Sequence, residues 1–194
     1  MPRVKKFNEE ETLGKAMCLF WRNGFHATSM QDLVNYLGIN RASIYDTYGG
    51  KKELFDSAFK HYRTVNRKQL QAFLESQESV KEGFRRLFQH GISEAVCDTE
   101  RKGCFVINVT TEMVPNDEKI LAVIQENKTF MIGVFENFLK IGVASGEISA
   151  TKNIKNLASL LHTFFNGIKI VSKTDTNEEE LLASVDTVLT LLDS

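Results

Sequence analysis

The chain has 194 residues, 42% of them hydrophobic, and its 24 Lys+Arg against 25 Asp+Glu leave a formal net charge of −1. That length holds one large or two small domains, and that apolar share is enough for a packed core. No apolar run approaches the roughly eighteen residues of a membrane span, and the start MPRVKKFNEEETL lacks the apolar stretch of a secretion signal, so no membrane contact and a cytoplasmic location are expected.

Asn8 followed by Glu9, Glu10 and Glu11 predicts a first helix: the Asn side chain caps free amides and the acids suit the positive end of the dipole. Leu13, Ala16, Met17, Phe20 and Trp21 recur at helical spacing until Gly24. Thr28 and Ser29 cap a second helix, with Asp32 reaching back as in a capping box. Its inward residues are Met30, Leu33, Val34 and Leu37, and Gly38 makes a turn. Asn40 caps a short third helix with Ile44 and Tyr48 inward; Gly49-Gly50 ends it, and a fourth begins at Lys51.

From there the periods lengthen. Leu54, Phe55, Ala58, Tyr62 and Val65 form one stripe; Val80, Phe84, Leu87, Phe88, Gly91, Ile92 and Ala95 form another, capped by Ser79. Asp98 to Gly103 is a polar loop, and Cys104 to Val114 a short helix stopped by Pro115. Asp117 opens a long helix through Ile141, with Phe130, Val134, Phe135 and Phe138 inward and Gly142 and Gly146 as its release. In the next helix Ile154, Leu157, Ala158, Leu161, Phe164, Phe165, Ile168 and Val171 nearly encircle the rod. Asn177 with Glu178 to Glu180 starts the last, striped by Leu181, Leu182, Val185, Val188, Leu189 and Leu192. A helix apolar on more than one side needs cover. Either it is the centre of a monomeric core or a second copy covers it, in a four-helix bundle with two helices from each subunit. The expectation is a homodimer.

With two prolines, Pro2 and Pro115, and no alternating run rich in β-branched residues, the predicted class is all-α. Cys18, Cys97 and Cys104 are odd in number and match no ligand spacing, which points to a reducing cytosol without disulfides, bound metal or cofactor. Charge is uneven: residues 1–67 sum to +4 and residues 68–194 to −5. A basic front suits a phosphate backbone, and an acidic back is repelled by it.

The two short helices around Leu37-Gly38-Ile39 have the layout of a helix-turn-helix, with Arg41, Ser43, Tyr45 and Thr47 where the second helix exposes them to a major groove. This predicts a three-helix DNA-binding domain over residues 1–50 and a helical ligand-binding and dimerisation domain over residues 51–194.

The order and spacing of these residues go further. Gly24-Phe25, Thr28-Ser29-Met30, Leu33…Leu37-Gly38-Ile39, Ser43-Ile44-Tyr45 and Tyr48-x-x-Lys51-x-x-Leu54-Phe55 follow one another as in a known pattern. In them the N-terminal third resembles the DNA-binding domain of TetR/AcrR-type transcriptional regulators. The resemblance implies a nine-helix fold, a symmetric dimer, a palindromic double-stranded operator and release from DNA on ligand binding, usually in a repressor. Two residues depart from the pattern. Asp46 puts an acid in the recognition helix, where it repels a phosphate or accepts from a cytosine amino group, and Gly49-Gly50 replaces a more polar linker.

Each DNA-facing candidate carries a second reading. Thr28 and Ser29 either hold a phosphate at a helix start or only cap it. Asn40 is more a cap than a base reader. Arg41 binds guanine O6 and N7 bidentately or a backbone phosphate. Ala42, Ser43 and Thr47 complete the reading helix, and the small Ser43 and Thr47 let it sink into the groove. The resemblance places the Tyr45 hydroxyl and Lys51 on phosphates; packing and plain solvation are their alternatives. Lys5 and Lys6 are candidates for non-specific contacts from an arm.

In the second domain the expected ligand is small and apolar or amphipathic, lined by Phe84, Phe88, Phe105, Phe130, Phe135, Phe138, His162 and Phe165, with Asn108 and Asn166 as polar anchors. Ordinary core is the competing reading for every Phe, and an interface histidine for His162. Cys104 follows Arg101-Lys102-Gly103 and begins a helix, both of which favour a reactive thiolate. It is either an electrophile or redox sensor or a small buried hydrophobe. A small helical enzyme is not expected, because no nucleophile–base pair, metal spacing or phosphate-binding Gly loop is present. An interaction module that has lost DNA affinity is the remaining alternative. The expected mechanism is a hinge at the fourth helix: ligand inserted between the fourth and eighth helices tilts it and changes the spacing of the two readers.

Overall fold

A computed structural model describes residues 7–174 and 177–193; Lys5 and Lys6 lie outside them. Among the described residues there are α-helices and short 3-10 turns and no strand. The helices are α1 (Glu9–Asn23), α2 (Met30–Leu37), α3 (Arg41–Tyr48), α4 (Lys51–Glu75), α5 (Val80–Cys97), α6 (Phe105–Met113), α7 (Glu118–Ser145), α8 (Ile154–Val171) and α9 (Glu178–Leu189). The chain forms two compact units, Met1–Asn66 and Arg67–Ser194. The division falls inside α4.

In the first unit the helix boundaries follow the caps. The Asn8 side chain accepts from the amides of Glu10 and Glu11. Ser29 accepts from Asp32 N while the Asp32 carboxylate accepts from Ser29 N, a complete capping box. Gly38 closes α2 at φ 69°, a left-handed conformation that costs a glycine little, and its N–H donates to Val34 O. Phe20 and Phe55 meet edge to face at 5.2 Å, and Phe25 reaches Phe55 at 5.0 Å. Leu33, Leu37 and Ile44 are buried with them.

In the second unit α5, α7, α8 and α9 surround an aromatic core, and α6 packs on α7. Gly142 does not release α7, which continues to Ser145 and ends at the left-handed Gly146. Gly142 is instead a point of close approach: a Cβ there would lie 2.8 Å from Ile148 Cδ1. Val65 is exposed rather than part of the α4 stripe.

Glu147, in the turn after α7, binds the start of α5. Its carboxylate accepts from Ser79 Oγ at 2.8 Å, Val80 N at 2.8 Å and Lys81 N at 2.7 Å. Burial raises its pKa, but the two amides and the hydroxyl outweigh burial and hold the carboxyl below the ordinary glutamate value. A depressed carboxylate stabilises the fold above its unfolded pKa, near 4.3, and loses that contribution as pH falls through the folded value. Glu147→Gln is therefore expected to cost about 1 kcal/mol at neutral pH and progressively less on acidification below about 4. Urea melts at a series of pH values check this, and a cost that stays constant into acid refutes it.

Candidate DNA-reading surface and effector core

α3 is a helix with a single fully buried residue, Ile44. Arg41, Ala42, Tyr45 and Asp46 are exposed, with Tyr45 46% accessible, and Ser43 and Thr47 are half-buried. Such a rod is held from one side and presents the rest to solvent. The Asn40 side chain accepts from Ser43 N at 2.8 Å, so its oxygen is committed to capping. The Arg41 guanidinium carbon stands 5.8 Å from the centre of the Tyr45 ring one turn on. That contact holds the guanidinium along the exposed face while its N–H groups remain available.

Ser29 is exposed, and its hydroxyl donates to Asp32 at 2.6 Å. The hydrogen bonds from Ser29 hold the Asp32 carboxyl below its ordinary pKa, with a smaller contribution from Lys51. The Lys51 ammonium lies 4.4 Å from the Phe25 ring centre. Thr28 corrects the sequence reading. It is fully buried and its hydroxyl donates to Gly24 O at 2.6 Å, so it ties the α1–α2 joint and is withdrawn from the surface where a phosphate would lie.

The second unit does not gather the expected ligand-lining residues into one group. Phe84 packs on Phe88 at 6.0 Å, on Phe135 at 5.1 Å and on Phe138 at 5.3 Å; Phe165 meets Phe88 at 5.7 Å and Phe135 at 6.3 Å. These rings fill space against one another. His162 stands at the edge of that cluster, 6.3 Å from Phe135, with the Asn166 amide nitrogen 3.2 Å from Nε2. Burial, with Lys128 and Lys169 adding, pushes its imidazole below the usual value, so it is neutral at neutral pH.

Phe105 is buried on α6 apart from that cluster. Asn108 clamps a loop: its amide donates to Lys102 O at 2.8 Å and its oxygen accepts from Lys173 Nζ at 3.2 Å. Cys104 is half-buried at the N-cap of α6, and its side chain makes no capping bond. Beside it a cleft of about 290 Å³ is lined by Asp98, Thr99, Arg101, Gly103 and Lys173 among others. Phe130 is half-buried with the Arg67 guanidinium 4.4 Å from its ring centre. The sequence reading missed Arg67, Lys173 and Glu147, because a single charged residue on a helix or turn has no periodicity to mark its partner.

Among the described residues no helix is long and apolar enough to cross a membrane, and no group of three or more His, Cys, Asp or Glu is placed to hold a metal ion.

Residues 13–58, which include α2, α3 and the turn between them, match the model of the bacterial regulatory proteins of the tetR family. Over its whole length the chain is 34% identical to the uncharacterized HTH-type transcriptional regulator YezE of Bacillus subtilis (strain 168), covering 100% of both. The chain belongs to the tetR family. It is 29% identical to the HTH-type transcriptional repressor ComR of Escherichia coli (strain K12), over 97% of this chain and 90% of that one. A cysteine mutant of the TetR-family regulator CifR, solved in complex with a 26-bp double-strand operator DNA, superposes with a TM-score of 0.86 at 25% identity, over 98% of this chain and 99% of that one. This tetR-family chain is a DNA-binding transcriptional regulator, and the helix-turn-helix just described is its family-matched part.

Proposed function

We propose that this tetR-family regulator is a repressor that binds a palindromic operator as a homodimer and leaves it when a small apolar or amphipathic molecule enters the unit of residues 67–194. The observation that carries the reading is α3, which keeps one residue for the core and offers Arg41, Ala42, Ser43, Tyr45 and Thr47 around an exposed face. Ser29 and Lys51 flank it as phosphate contacts, and Asn40 sets its start. Leu160, Ile170 and Val171 on α8 and Leu191 after α9 are exposed apolar side chains, which supports cover by a second copy. Two copies on one face of B-DNA set their reading helices about 34–36 Å apart. DNA contacts thus belong to the first unit and effector and dimer contacts to the second, with α4 running through both.

The test is selection from random duplexes, followed by titration of the winning sequence at several salt concentrations. Sequence preference is expected, with log K falling linearly against log salt by about 0.9 for each phosphate neutralised. No preference over competitor DNA at low salt refutes the reading.

A second reading rests on Cys104, a free half-buried thiol at the start of α6 beside a loop bearing Arg101 and Lys102. In it, an electrophile or oxidant acts on this thiol and releases DNA. Native Cys104 is then expected to react with a thiol label faster than a free thiol at neutral pH, and Cys104→Ser to keep DNA binding but lose the response. Labelling no faster than a free thiol removes this reading.

A further inference from the structure

The acid on the reading helix is the feature of α3 that helix formation does not explain. Asp46 is exposed. It stands in the last turn of α3, where the helix dipole disfavours a negative charge, and that turn holds no basic residue. Among the described residues no hydrogen bond or ion pair engages its carboxylate. It also works against the positive sum of residues 1–67, which suits that unit to a phosphate backbone. A residue that breaks local rules with no local compensation marks a functional position.

Its place on the helix decides what it meets. At about 100° per residue, Ala42 and Asp46, two positions to either side of the buried Ile44, each lie about 160° round α3 from it. They form the ridge opposite the core, and in a groove-bound helix that ridge lies nearest the base edges while the flanks face the phosphates. Ala42 carries only a methyl, so nothing bulky beside Asp46 on that ridge keeps its short side chain from the groove floor. An ionised carboxylate accepts hydrogen bonds and donates none. The major groove offers it two donors, cytosine N4 and adenine N6. The adenine amino group sits between N7 of its own base and O4 of the paired thymine, two acceptors that repel an anion. The cytosine amino group has such a neighbour on one side only, guanine O6.

We propose that Asp46 is a specificity-determining residue that accepts from the amino group of a cytosine in each operator half-site. The inference rests on the operator-binding reading above and names one base of its site. The negative charge lowers affinity for DNA of any sequence, and the bond to cytosine restores it at the right one, which is how a repulsive element sharpens discrimination.

The experiment selects duplexes from a random pool with the native full-length protein, with Asp46→Ala and with Asp46→Asn, and then measures binding of each to every single-base variant of the native protein's selected site. Thermal melts check that the variants are folded. The native site is expected to hold a cytosine at one fixed position per half-site, and replacing that C·G pair to cost the native protein about 5- to 150-fold. Asp46→Ala is expected to lose this discrimination, keep the preferences at the other positions and bind non-specific DNA more tightly. Asp46→Asn, whose amide both donates and accepts, is expected to take adenine there as well as cytosine; should Asp46→Ala not fold, this variant decides. The assignment is overturned if Asp46→Ala keeps every base preference of the native protein, if it merely binds all sequences more tightly by one factor, or if Asp46→Asn still rejects adenine at the cytosine position. Each of these leaves the operator-binding reading intact. A native protein with no sequence preference would defeat that broader reading, and this assignment with it.

Discussion

Arg41→Ala is expected to relax the operator preference at one base pair per half-site by about 1–3 kcal/mol, roughly a 5- to 150-fold loss of discrimination. The basis is geometric. Arg41 is the first residue of α3, beyond an Asn40 cap that is occupied with the helix, and its guanidinium extends along the exposed face over Tyr45. If Arg41 reads a base edge, losing it removes a bidentate pair from one position of the site. A contact to phosphate behaves differently. Lys51→Ala is expected to weaken binding on all sequences alike and to reduce the salt slope by about 1 per subunit. Binding of each variant to single-base substitutions of the selected operator separates the two. Uniform weakening by Arg41→Ala would reassign it to the backbone.

Phe84→Ala is expected to remove about 3–5 kcal/mol of stability from the second unit. Phe84 is fully inaccessible and touches three other rings at 5.1, 5.3 and 6.0 Å, so truncation leaves a hole that its neighbours cannot close without leaving their own packing. For a chain of this size that corresponds to a fall in melting temperature on the order of 10 °C. Circular dichroism at fixed protein concentration measures it, the fixed concentration being needed because a dimer's stability varies with it. A pocket-lining Phe would behave otherwise: its loss would change stability little and ligand affinity much. Retained stability in Phe84→Ala would therefore reverse the core assignment.

Most of the fold was legible because local rules fix it. The caps at Asn8, Ser29, Asn40 and Asn177 sit where the acid and amide residues suggested, since a capping bond needs only residues within three positions of each other. The helix-turn-helix was legible for the same reason. Thr28 was not: a hydroxyl beside a capping serine looks equally suited to solvent, and only the joint between α1 and α2 turns it inward to Gly24 O.

Gly142 looked like a helix end and proved to be a packing contact, because Ile148, which crowds it, arrives through the turn after α7. Arg67 carried a faint signal. Phe55, Phe59, Arg63 and Arg67 step by four toward Leu70 and Leu74, so two arginines stand in line with a buried stripe. That spacing marks them as unusual without revealing Phe130 on another helix.

The sequence by itself determined the all-helical class, the helix ends and the reading motif, because hydrogen bonds and apolar periodicity within one helix act over a few residues. Only the tertiary structure decided which aromatic side chains fill the core and that Glu147 caps α5. Those outcomes depend on packing between segments tens of residues apart, which no local pattern encodes.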